Sequence, residues 1–128
     1  MRSITHFIHG AAASSTGGRA SDVLDPSTGA VQAQVHLGDA ALLDQAIESA
    51  KKAQPDWAAV NPQRRARVLF RYKELIEAHM DELAALLSSE HGKVIADAKG
   101  DVQRGLEVVE FACGIPHLLK GDYTQGAG

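Results

Sequence analysis

Residues Asn61 to Lys93 read NPQRRARVLFRYKELIEAHMDELAALLSSEHGK, and this stretch decides how the rest of the chain has to fold. Six apolar residues recur in it at steps of three and four, which predicts one stripe along an α-helix. They are Leu69, Tyr72, Ile76, Met80, Leu83 and Leu87. A helix over Gln63 to His91 would be roughly 43 Å long, at about 1.5 Å per residue. It needs a large partner surface, and a chain of 128 residues supplies little of one.

Both ends of the predicted helix carry residues that are typical of helix boundaries. Asn61 can act as the N-cap, and Pro62 suits the first helical position because its missing N–H is not needed there. Gly92 can adopt the left-handed conformation that ends a helix. We expect Lys93, which follows this glycine, to be solvated.

Three stretches before the long helix have the pattern of strands. They are Ile4 to His9, Arg19 to Leu24 and Ala30 to Leu37, the last with clean alternation of apolar and polar residues. Gly10 to Gly18 is small and flexible, and its Gly17-Gly18 pair favours a turn. Asp25 to Gly29 reads DPSTG, whose aspartate, proline and glycine favour a tight turn. We therefore predict a small antiparallel β-meander over residues 1–38, with one face on a core.

A first helix is predicted between the meander and the long helix. Asp39 can cap its N-terminus, and Pro55 should end it because proline cannot continue the ladder without losing a hydrogen bond. Its predicted apolar face consists of Leu43, Ala46, Ile47, Ala50 and Ala53. We expect Trp57 to anchor the turn into the long helix.

After the long helix, the pattern predicts a short helical turn and then a third helix. Val94 to Lys99 forms the turn, Gly100 interrupts it, and Asp101 starts the third helix. Its apolar face holds Val102, Leu106, Val109 and Cys113, and Gly114 and Pro116 kink or end it.

Strands come first in this chain, and three amphipathic helices follow without a strand between them. The helices occupy residues 39–121, and residues 122–128 form a tail without periodicity. A doubly wound parallel sheet needs alternating strands and helices. The segment is therefore predicted to be α+β, and by itself it is not a complete nucleotide-binding fold.

Charge and composition exclude several classes of function. The chain has 13 basic and 16 acidic residues, and the net charge of −3 gives no general attraction to nucleic acid or to anionic membranes. The same balance counts against a helix-turn-helix DNA binder. The single cysteine allows no internal disulfide, and no apolar run approaches a membrane span. The default expectation is a soluble cytoplasmic protein that binds neither nucleic acid nor membrane.

Few residues suggest chemistry, and most of them have a simpler interpretation. Cys113 lies on an apolar face, so a small buried hydrophobe is favoured over a nucleophile. The six histidines lack the spacing of a zinc site, so no metal is expected. Gly92-Lys93 does not complete a phosphate-binding loop, because Leu87 and Val94 stand where that motif requires a glycine and a Ser or Thr.

Basic residues offer two further candidates. Five of them, Arg64, Arg65, Arg67, Arg71 and Lys73, begin the long helix. A solvated face partly matched by Glu74 and Glu77 is favoured there over a phosphate or partner contact. Arg104 stands out on the third helix, between Asp101 and Glu107. Pattern alone favours a surface arginine with carboxylate neighbours.

Four blocks in the correct order resemble the N-terminal part of the aldehyde dehydrogenase superfamily. Val23 to Gly29 (VLDPSTG) is similar to the family's strand and NPxTG turn, and Asp44 to Trp57 (DQAIESAKKAQPDW) is similar to its first helix. Arg64 to Lys93, with its ELA and EHGK ending, is similar to the second helix, and Ala96 to Gly121 to the next segment. The resemblance implies an α/β family fold in which residues 1–128 form the outer, N-terminal part of a Rossmann-like NAD-binding domain.

Within the superfamily, Gly100 to Cys113 (GDVQRGLEVVEFAC) is most similar to the CoA-acylating methylmalonate-semialdehyde dehydrogenases. This resemblance implies an oxidation of malonate or methylmalonate semialdehyde that uses NAD and coenzyme A. The substrate carries a carboxylate, and arginine suits two-pronged binding of that group. Arg104 is therefore the candidate substrate-binding residue. The full enzyme would be a homo-oligomer, which we expect to be a tetramer.

The resemblance also implies what these residues lack. The family's nucleophilic cysteine, general base, oxyanion-hole asparagine and glycine-bearing NAD motif all lie beyond this segment. We therefore expect no catalytic, cofactor-binding or metal-binding residue here, and no dehydrogenase activity from the chain alone. The alternative is a non-catalytic helical binding module, or a truncated paralogue, that docks its exposed helix stripe on a partner subunit.

Overall fold

The structure is a computed structural model that describes residues 1–13, 18–122 and 125–126. The chain forms two compact units. The first comprises Met1–Ala59 with Ser89–Gly92, and the second comprises Val60–Ser88 with Lys93–Gly128. Gly17 of the predicted Gly17-Gly18 turn, and part of the predicted tail, lie outside the described residues.

Within the described ranges, the first unit has five short strands in two sheets. They are β1 (Arg2–Ile4), β2 (His6–Ile8), β3 (Ala11–Ala13), β4 (Ala20–Leu24) and β5 (Val31–His36). One sheet has the order β1-β5-β4, and β2 and β3 form a separate antiparallel hairpin. β4 pairs with β5 in the predicted antiparallel sense, whereas β1 pairs with β5 in parallel. The α+β class is confirmed, but the meander is antiparallel only in part.

The prediction of one strand over Ile4 to His9 is wrong. The stretch breaks at Thr5, and its two halves, β1 and β2, pair with different strands. His9 and Gly10, which follow β2, have φ angles of 56° and 75°. Successive residues with positive φ form the tight turn that folds β2 back onto β3, so β2 does not continue β1 along β5.

The DPSTG turn between β4 and β5 is confirmed. Asp25 Oδ1 accepts hydrogen bonds from the N–H groups of Ser27 at 2.8 Å and Thr28 at 3.3 Å. The Gly29 N–H donates to the Asp25 carbonyl oxygen at 2.8 Å, and its φ of 74° favours glycine. Ala33, in the middle of β5, is fully buried, so one side of this strand is covered.

Helix α1 spans Ala40–Ala59 and begins at the predicted cap, because Asp39 Oδ1 accepts a hydrogen bond from the Leu42 N–H at 2.8 Å. The prediction that Pro55 ends this helix is wrong, since α1 continues past it to Ala59. Proline removes its own N–H donor and its ring crowds the carbonyl one turn earlier, a local cost of about 3 kcal/mol that α1 tolerates at Pro55. Trp57 was predicted to anchor the following turn, but it lies inside α1 and is 48% exposed.

The predicted apolar face of α1 is largely uncovered. No residue of α1 is buried, and Leu43 and Ile47 are 61% and 46% exposed. Exposed apolar faces of this kind are typical of surfaces that another part of a larger protein covers.

The predicted long helix forms two helices, α2 over Pro62–Ala78 and α3 over Met80–His91. His79 separates them with φ −112° and ψ 19°, so the prediction of one helix is wrong at this residue. Its N–H still donates to the Leu75 carbonyl at 3.1 Å, and its own carbonyl accepts from the Leu83 N–H at 2.9 Å. The apolar stripe continues on both sides of the break, so the periodicity does not reveal it. The predicted cap is confirmed, because Asn61 Oδ1 accepts from the Gln63 N–H at 2.9 Å.

The end of α3 packs within the first unit. Gln32 Nε2 donates to the Ser89 carbonyl oxygen at 3.0 Å. Gly92 follows with a φ of 86°, which confirms the predicted left-handed residue. A Cβ on Gly92 would lie 3.1 Å from Pro26 Cγ. Glycine is therefore favoured here both by the positive φ and by the close approach of the Pro26 ring.

Helix α4 spans Ile95–Ala112, and α5 spans Ile115–Leu118. The predicted short turn over Val94 to Lys99, interruption at Gly100 and new start at Asp101 are wrong, because α4 begins at Ile95, with Val94 as its N-cap, and continues through Gly100 and Asp101. A glycine inside a helix costs only about 1 kcal/mol relative to alanine, and α4 packs against α2. The predicted break at Gly114 and Pro116 is confirmed, since α4 ends before them and α5 begins there. The described ranges thus hold five helices instead of three.

Small residues form most of the buried core of the second unit, which lets α2 and α4 approach closely. The buried residues are Ala66, Ile76, Ala84, Ala98, Leu106 and Cys113. Leu106 and Cys113 confirm the predicted apolar face of the third helix. Val108 and Phe111 on α4 are 68% and 71% exposed, so this unit also leaves apolar surface uncovered. No helix in the described part of the chain has the length and apolar character needed to cross a membrane.

Candidate functional site

Asp101 joins two basic side chains in the second unit. Its Oδ1 accepts a hydrogen bond from Arg104 Nη2, and its Oδ2 accepts one from Lys93 Nζ. We call Lys93, Asp101 and Arg104 the α4 charge cluster. Because two cations share one carboxylate, the cluster has a formal net charge of +1. It therefore attracts anions more strongly than a neutral ion pair does.

Backbone geometry positions each member of the α4 charge cluster. Asp101 and Arg104 are three residues apart on α4, a spacing that places them on the same helix face. Lys93 lies just before α4, and its carbonyl oxygen accepts a hydrogen bond from Ser88 Oγ at 2.6 Å. Its side chain is only 20% exposed. Both the main chain and the side chain of Lys93 are therefore held in place.

The prediction that Lys93 is solvated is therefore wrong. Lys93 and Asp101 are eight residues apart and on either side of the start of α4, so no helical spacing rule connects them. Their contact depends on how the chain turns between α3 and α4. The predicted proximity of Arg104 to a carboxylate three residues away is confirmed.

Arg104 is the exposed member of the α4 charge cluster. Its side chain is 71% exposed, against 31% for Asp101. The hydrogen bond from Lys93 is the main cause that lowers the pKa of Asp101 below its usual value, and the hydrogen bond from Arg104 is the second. The carboxylate is therefore ionised near neutral pH. Asp101 is the one hydrogen-bond partner of Arg104 within the described residues, and most guanidinium N–H donors remain available. Those donors can bind a planar anion such as a carboxylate.

Arg71 and Lys73, two of the five basic residues noted in the sequence, lie in the second half of α2 and are arranged differently. Arg71 pairs with Glu74 at 2.8 Å, and Lys73 pairs with Glu77 at 2.6 Å. The hydrogen bond to Glu77 raises the pKa of Lys73. Each of these cations has its own carboxylate, so both pairs are neutral. The prediction that Glu74 and Glu77 partly match these basic residues is confirmed.

The remaining candidates add no reactive group to the α4 charge cluster. Cys113 is 8% exposed at the C-terminal end of α4, so its predicted burial is confirmed. Across residues 1–13, 18–122 and 125–126, no three His, Cys, Asp or Glu side chains come together as metal ligands would.

The groove lined by β2 and α1 in the first unit lacks the groups that bind the pyrophosphate of NAD or coenzyme A. An open groove of about 580 Å³ in the first unit is lined mainly by apolar residues of β2 and α1, and no lysine or arginine lines it. Asp39 beside the groove already caps α1, and its negative charge opposes a phosphate. A pyrophosphate needs several N–H or cationic donors. This groove therefore offers no site for a pyrophosphate.

Nearly the whole chain matches one protein family. The family described as "Aldehyde dehydrogenase family" matches residues 12–127. The chain belongs to the aldehyde dehydrogenase family. This confirms the resemblance carried by the four sequence blocks.

This aldehyde dehydrogenase chain is similar to curated malonate-semialdehyde dehydrogenases. It is 41% identical over 128 residues to one from Pseudomonas aeruginosa, which covers 100% of the chain and 26% of the relative. It is 48% identical over 120 residues to malonate-semialdehyde dehydrogenase 3 of Geobacillus kaustophilus, which covers 94% of the chain and 25% of the relative. The chain thus spans about a quarter of the length of these relatives.

Solved structures show the same relationship in three dimensions. A Sinorhizobium meliloti 1021 protein, described as a methylmalonate-semialdehyde dehydrogenase and complexed with NAD, matches with a TM-score of 0.92 and 55% identity. Methylmalonate-semialdehyde dehydrogenase of Oceanimonas doudoroffii matches with a TM-score of 0.92 and 44% identity. Each match covers 100% of this aldehyde dehydrogenase chain and 26% of the other. The predicted similarity to this subfamily and the α/β family fold are confirmed, whereas the role of Arg104 and the assignment to an NAD-binding domain stay predictions.

Proposed function

We propose that this chain is the N-terminal part of an NAD-dependent enzyme that oxidises malonate or methylmalonate semialdehyde to an acyl-CoA. The observation that carries the proposal is the identity of 41% and 48% to two enzymes named for malonate semialdehyde. The two methylmalonate-semialdehyde dehydrogenase structures that match the whole chain support the same substrate class.

Arg104 binds the substrate carboxylate in this proposal. Both semialdehydes carry a carboxylate in addition to the aldehyde, and guanidinium binds carboxylate through two parallel N–H···O bonds. Arg104 is 71% exposed, and it belongs to a cluster with a formal net charge of +1. Exposure and net positive charge are the two properties that such a contact requires.

The segment contributes recognition to the proposed reaction. In the full enzyme, NAD would supply the hydride acceptor, and coenzyme A would supply the acyl acceptor in place of water. We expect this segment alone to bind neither cofactor, and Arg104 acts by holding the carboxylate end of the aldehyde. Holding the carboxylate strengthens substrate binding, which lowers KM for the semialdehyde.

Exposed apolar side chains support a larger assembly. Leu43 on α1 and Phe111 on α4 are 61% and 71% exposed. Apolar surface of this kind is usually covered by another part of the protein or by a partner. We therefore expect a homo-oligomeric enzyme, and no activity from the isolated chain.

Two polypeptides test the proposed function. One is the isolated chain, and the other is a full-length aldehyde dehydrogenase polypeptide that carries this segment. With malonate semialdehyde, NAD and coenzyme A, the full-length polypeptide should form NADH, acetyl-CoA and carbon dioxide in equal amounts. The isolated chain should form none of them. A free acid in place of acetyl-CoA would contradict the role of coenzyme A, and NADH from the isolated chain would contradict its predicted inactivity.

A further inference from the structure

An arginine that is already paired with one carboxylate attracts a second carboxylate only weakly. The ion pair is neutral overall, and the carboxylate in place repels the incoming one. Arg104 is such an arginine, because Asp101 accepts a hydrogen bond from its Nη2. Its proposed role therefore needs something that offsets the charge of Asp101.

Lys93 supplies that charge on the other oxygen of the same carboxylate. Its Nζ donates to Asp101 Oδ2, while Arg104 donates to Oδ1. The side chain of Lys93 is 20% exposed and that of Arg104 is 71% exposed. The lysine charge thus lies inside the cluster, and the guanidinium is the part that an anion in solution can reach.

We infer that Lys93 is a positioning residue for substrate recognition, which neutralises Asp101 and so leaves Arg104 with net positive charge for the substrate carboxylate. The inference rests on the proposed role of Arg104 and adds a second residue to it. Ser88 supports this arrangement, because its Oγ donates to the Lys93 carbonyl oxygen at 2.6 Å and holds the backbone from which the lysine extends.

The first test is Lys93→Gln in a full-length aldehyde dehydrogenase polypeptide that carries this segment. The variant leaves Asp101 and Arg104 as a neutral pair. We expect KM for malonate semialdehyde to rise about five-fold at low salt, because Arg104 is exposed and its charge is partly screened. KM for propanal, which has no carboxylate, and kcat for either aldehyde should change much less. The rise in KM should also shrink as salt is added.

The decisive test is the double variant Lys93→Gln/Asp101→Asn. It removes one positive and one negative charge, so the cluster returns to a net charge of +1 on Arg104. The double variant should therefore recover most of the affinity for malonate semialdehyde that Lys93→Gln loses. If Lys93 only stabilised the fold, the second substitution would leave KM as high or raise it further, and that result would overturn the inference.

Arg104→Ala, measured in parallel, separates this inference from the proposed function. One outcome is that Arg104→Ala loses the preference for malonate semialdehyde over propanal while Lys93→Gln keeps it. That result would overturn the inference about Lys93 and leave the proposed function standing. An unchanged preference in Arg104→Ala would overturn both.

Asp101→Asn alone carries the test if Lys93→Gln does not yield soluble enzyme. It removes the repelling charge and keeps a hydrogen-bond acceptor beside Arg104. The inference predicts no rise in KM for malonate semialdehyde. A rise comparable to that of Arg104→Ala would mean that Asp101 is needed to hold the guanidinium in place, and it would overturn the account based on charge.

Discussion

Two exposed arginines of this chain look alike locally but differ in the charge around them. Arg71 on α2 and Arg104 on α4 have side chains that are 68% and 71% exposed. Each pairs with a carboxylate three residues away, Glu74 for Arg71 and Asp101 for Arg104. Within the described residues, Glu74 has no second cation, whereas Asp101 also binds Lys93.

The difference shows that helix spacing alone does not make an arginine available to a ligand. A pair three residues apart on an exposed helix face contributes only a few tenths of a kcal/mol, and it is neutral. A third charge, from a residue before α4, changes the balance at Arg104 and not at Arg71. Arg71 is therefore the matched control for every test of Arg104.

Arg104→Ala should have the largest effect. In a full-length polypeptide that carries this segment, we expect KM for malonate semialdehyde to rise roughly 10- to 100-fold, the range for loss of charged hydrogen bonds. KM for propanal should rise far less. Steady-state kinetics on both aldehydes measure the difference, and Arg71→Ala should change neither KM by more than about two-fold. Equal rises for both aldehydes in Arg104→Ala would contradict a role in carboxylate binding.

Arg104→Lys should have a smaller effect of the same kind. Lysine keeps the charge but loses the planar fork that binds both carboxylate oxygens, so we expect KM for malonate semialdehyde to rise about five-fold. Arg71→Lys should leave it unchanged. If Arg104→Lys behaved like the wild type, the contact would be a charge effect without the two-pronged geometry.

Two glycines test the structural frame around the cluster. Gly92→Ala should lower stability by about 1–2 kcal/mol, because a Cβ is strained at positive φ and this one would meet Pro26. Gly105→Ala, beside Arg104 on α4, should raise stability by about 0.5–1 kcal/mol, since its Cβ meets nothing within 4 Å. The apparent melting temperature should therefore fall in Gly92→Ala and rise in Gly105→Ala. A destabilising Gly105→Ala would contradict the helical conformation at this residue.

Acid pH should reveal the smallest effect. Folding lowers the pKa of Asp101 from its ordinary value of 3.8, through hydrogen bonds from Lys93 and then Arg104. The resulting stability is present above pH 3.8 and is lost as the pH falls through the folded-state pKa. The melting temperature of Asp101→Asn should therefore fall less than that of the wild type on going to acid pH. An equal fall in melting temperature for the variant and the wild type would contradict the pairing of Asp101 with Lys93 and Arg104.

Much of the fold was predictable because local rules decide helix ends and turns. Asp39 and Asn61 accept hydrogen bonds from the helix N-termini that they were expected to cap, and Asp25 accepts them within the predicted turn. Gly92 has the expected positive φ. Such contacts lie within three residues along the chain, so the sequence specifies both partners.

The wrong predictions have two other causes. Proline at position 55 and glycine at position 100 oppose a helix, yet α1 and α4 run through them. The costs, about 3 kcal/mol for proline and about 1 kcal/mol for glycine, are local, and the rest of each helix offsets them. Strand β1 pairs in parallel with β5, a contact between residues about thirty positions apart that alternation does not encode.

The candidate site was predictable only in part. Arg104 stood out through the family resemblance, and its carboxylate partner Asp101 followed from helix spacing. Lys93 was missed because it reaches Asp101 across the turn that precedes α4. Three-dimensional proximity of this kind carries no signal in residue spacing.

Competitive inhibition by a short carboxylate tests the central claim most directly, because it measures carboxylate binding apart from the chemical step. Malonate would be titrated against propanal oxidation by the full-length polypeptide carrying this segment, with Arg104→Ala and Arg71→Ala as variants. We predict that malonate competes with propanal in the wild type and in Arg71→Ala, and that its inhibition constant rises at least about ten-fold in Arg104→Ala. Equal inhibition constants in all three proteins would contradict the assignment of Arg104 as the carboxylate-binding residue.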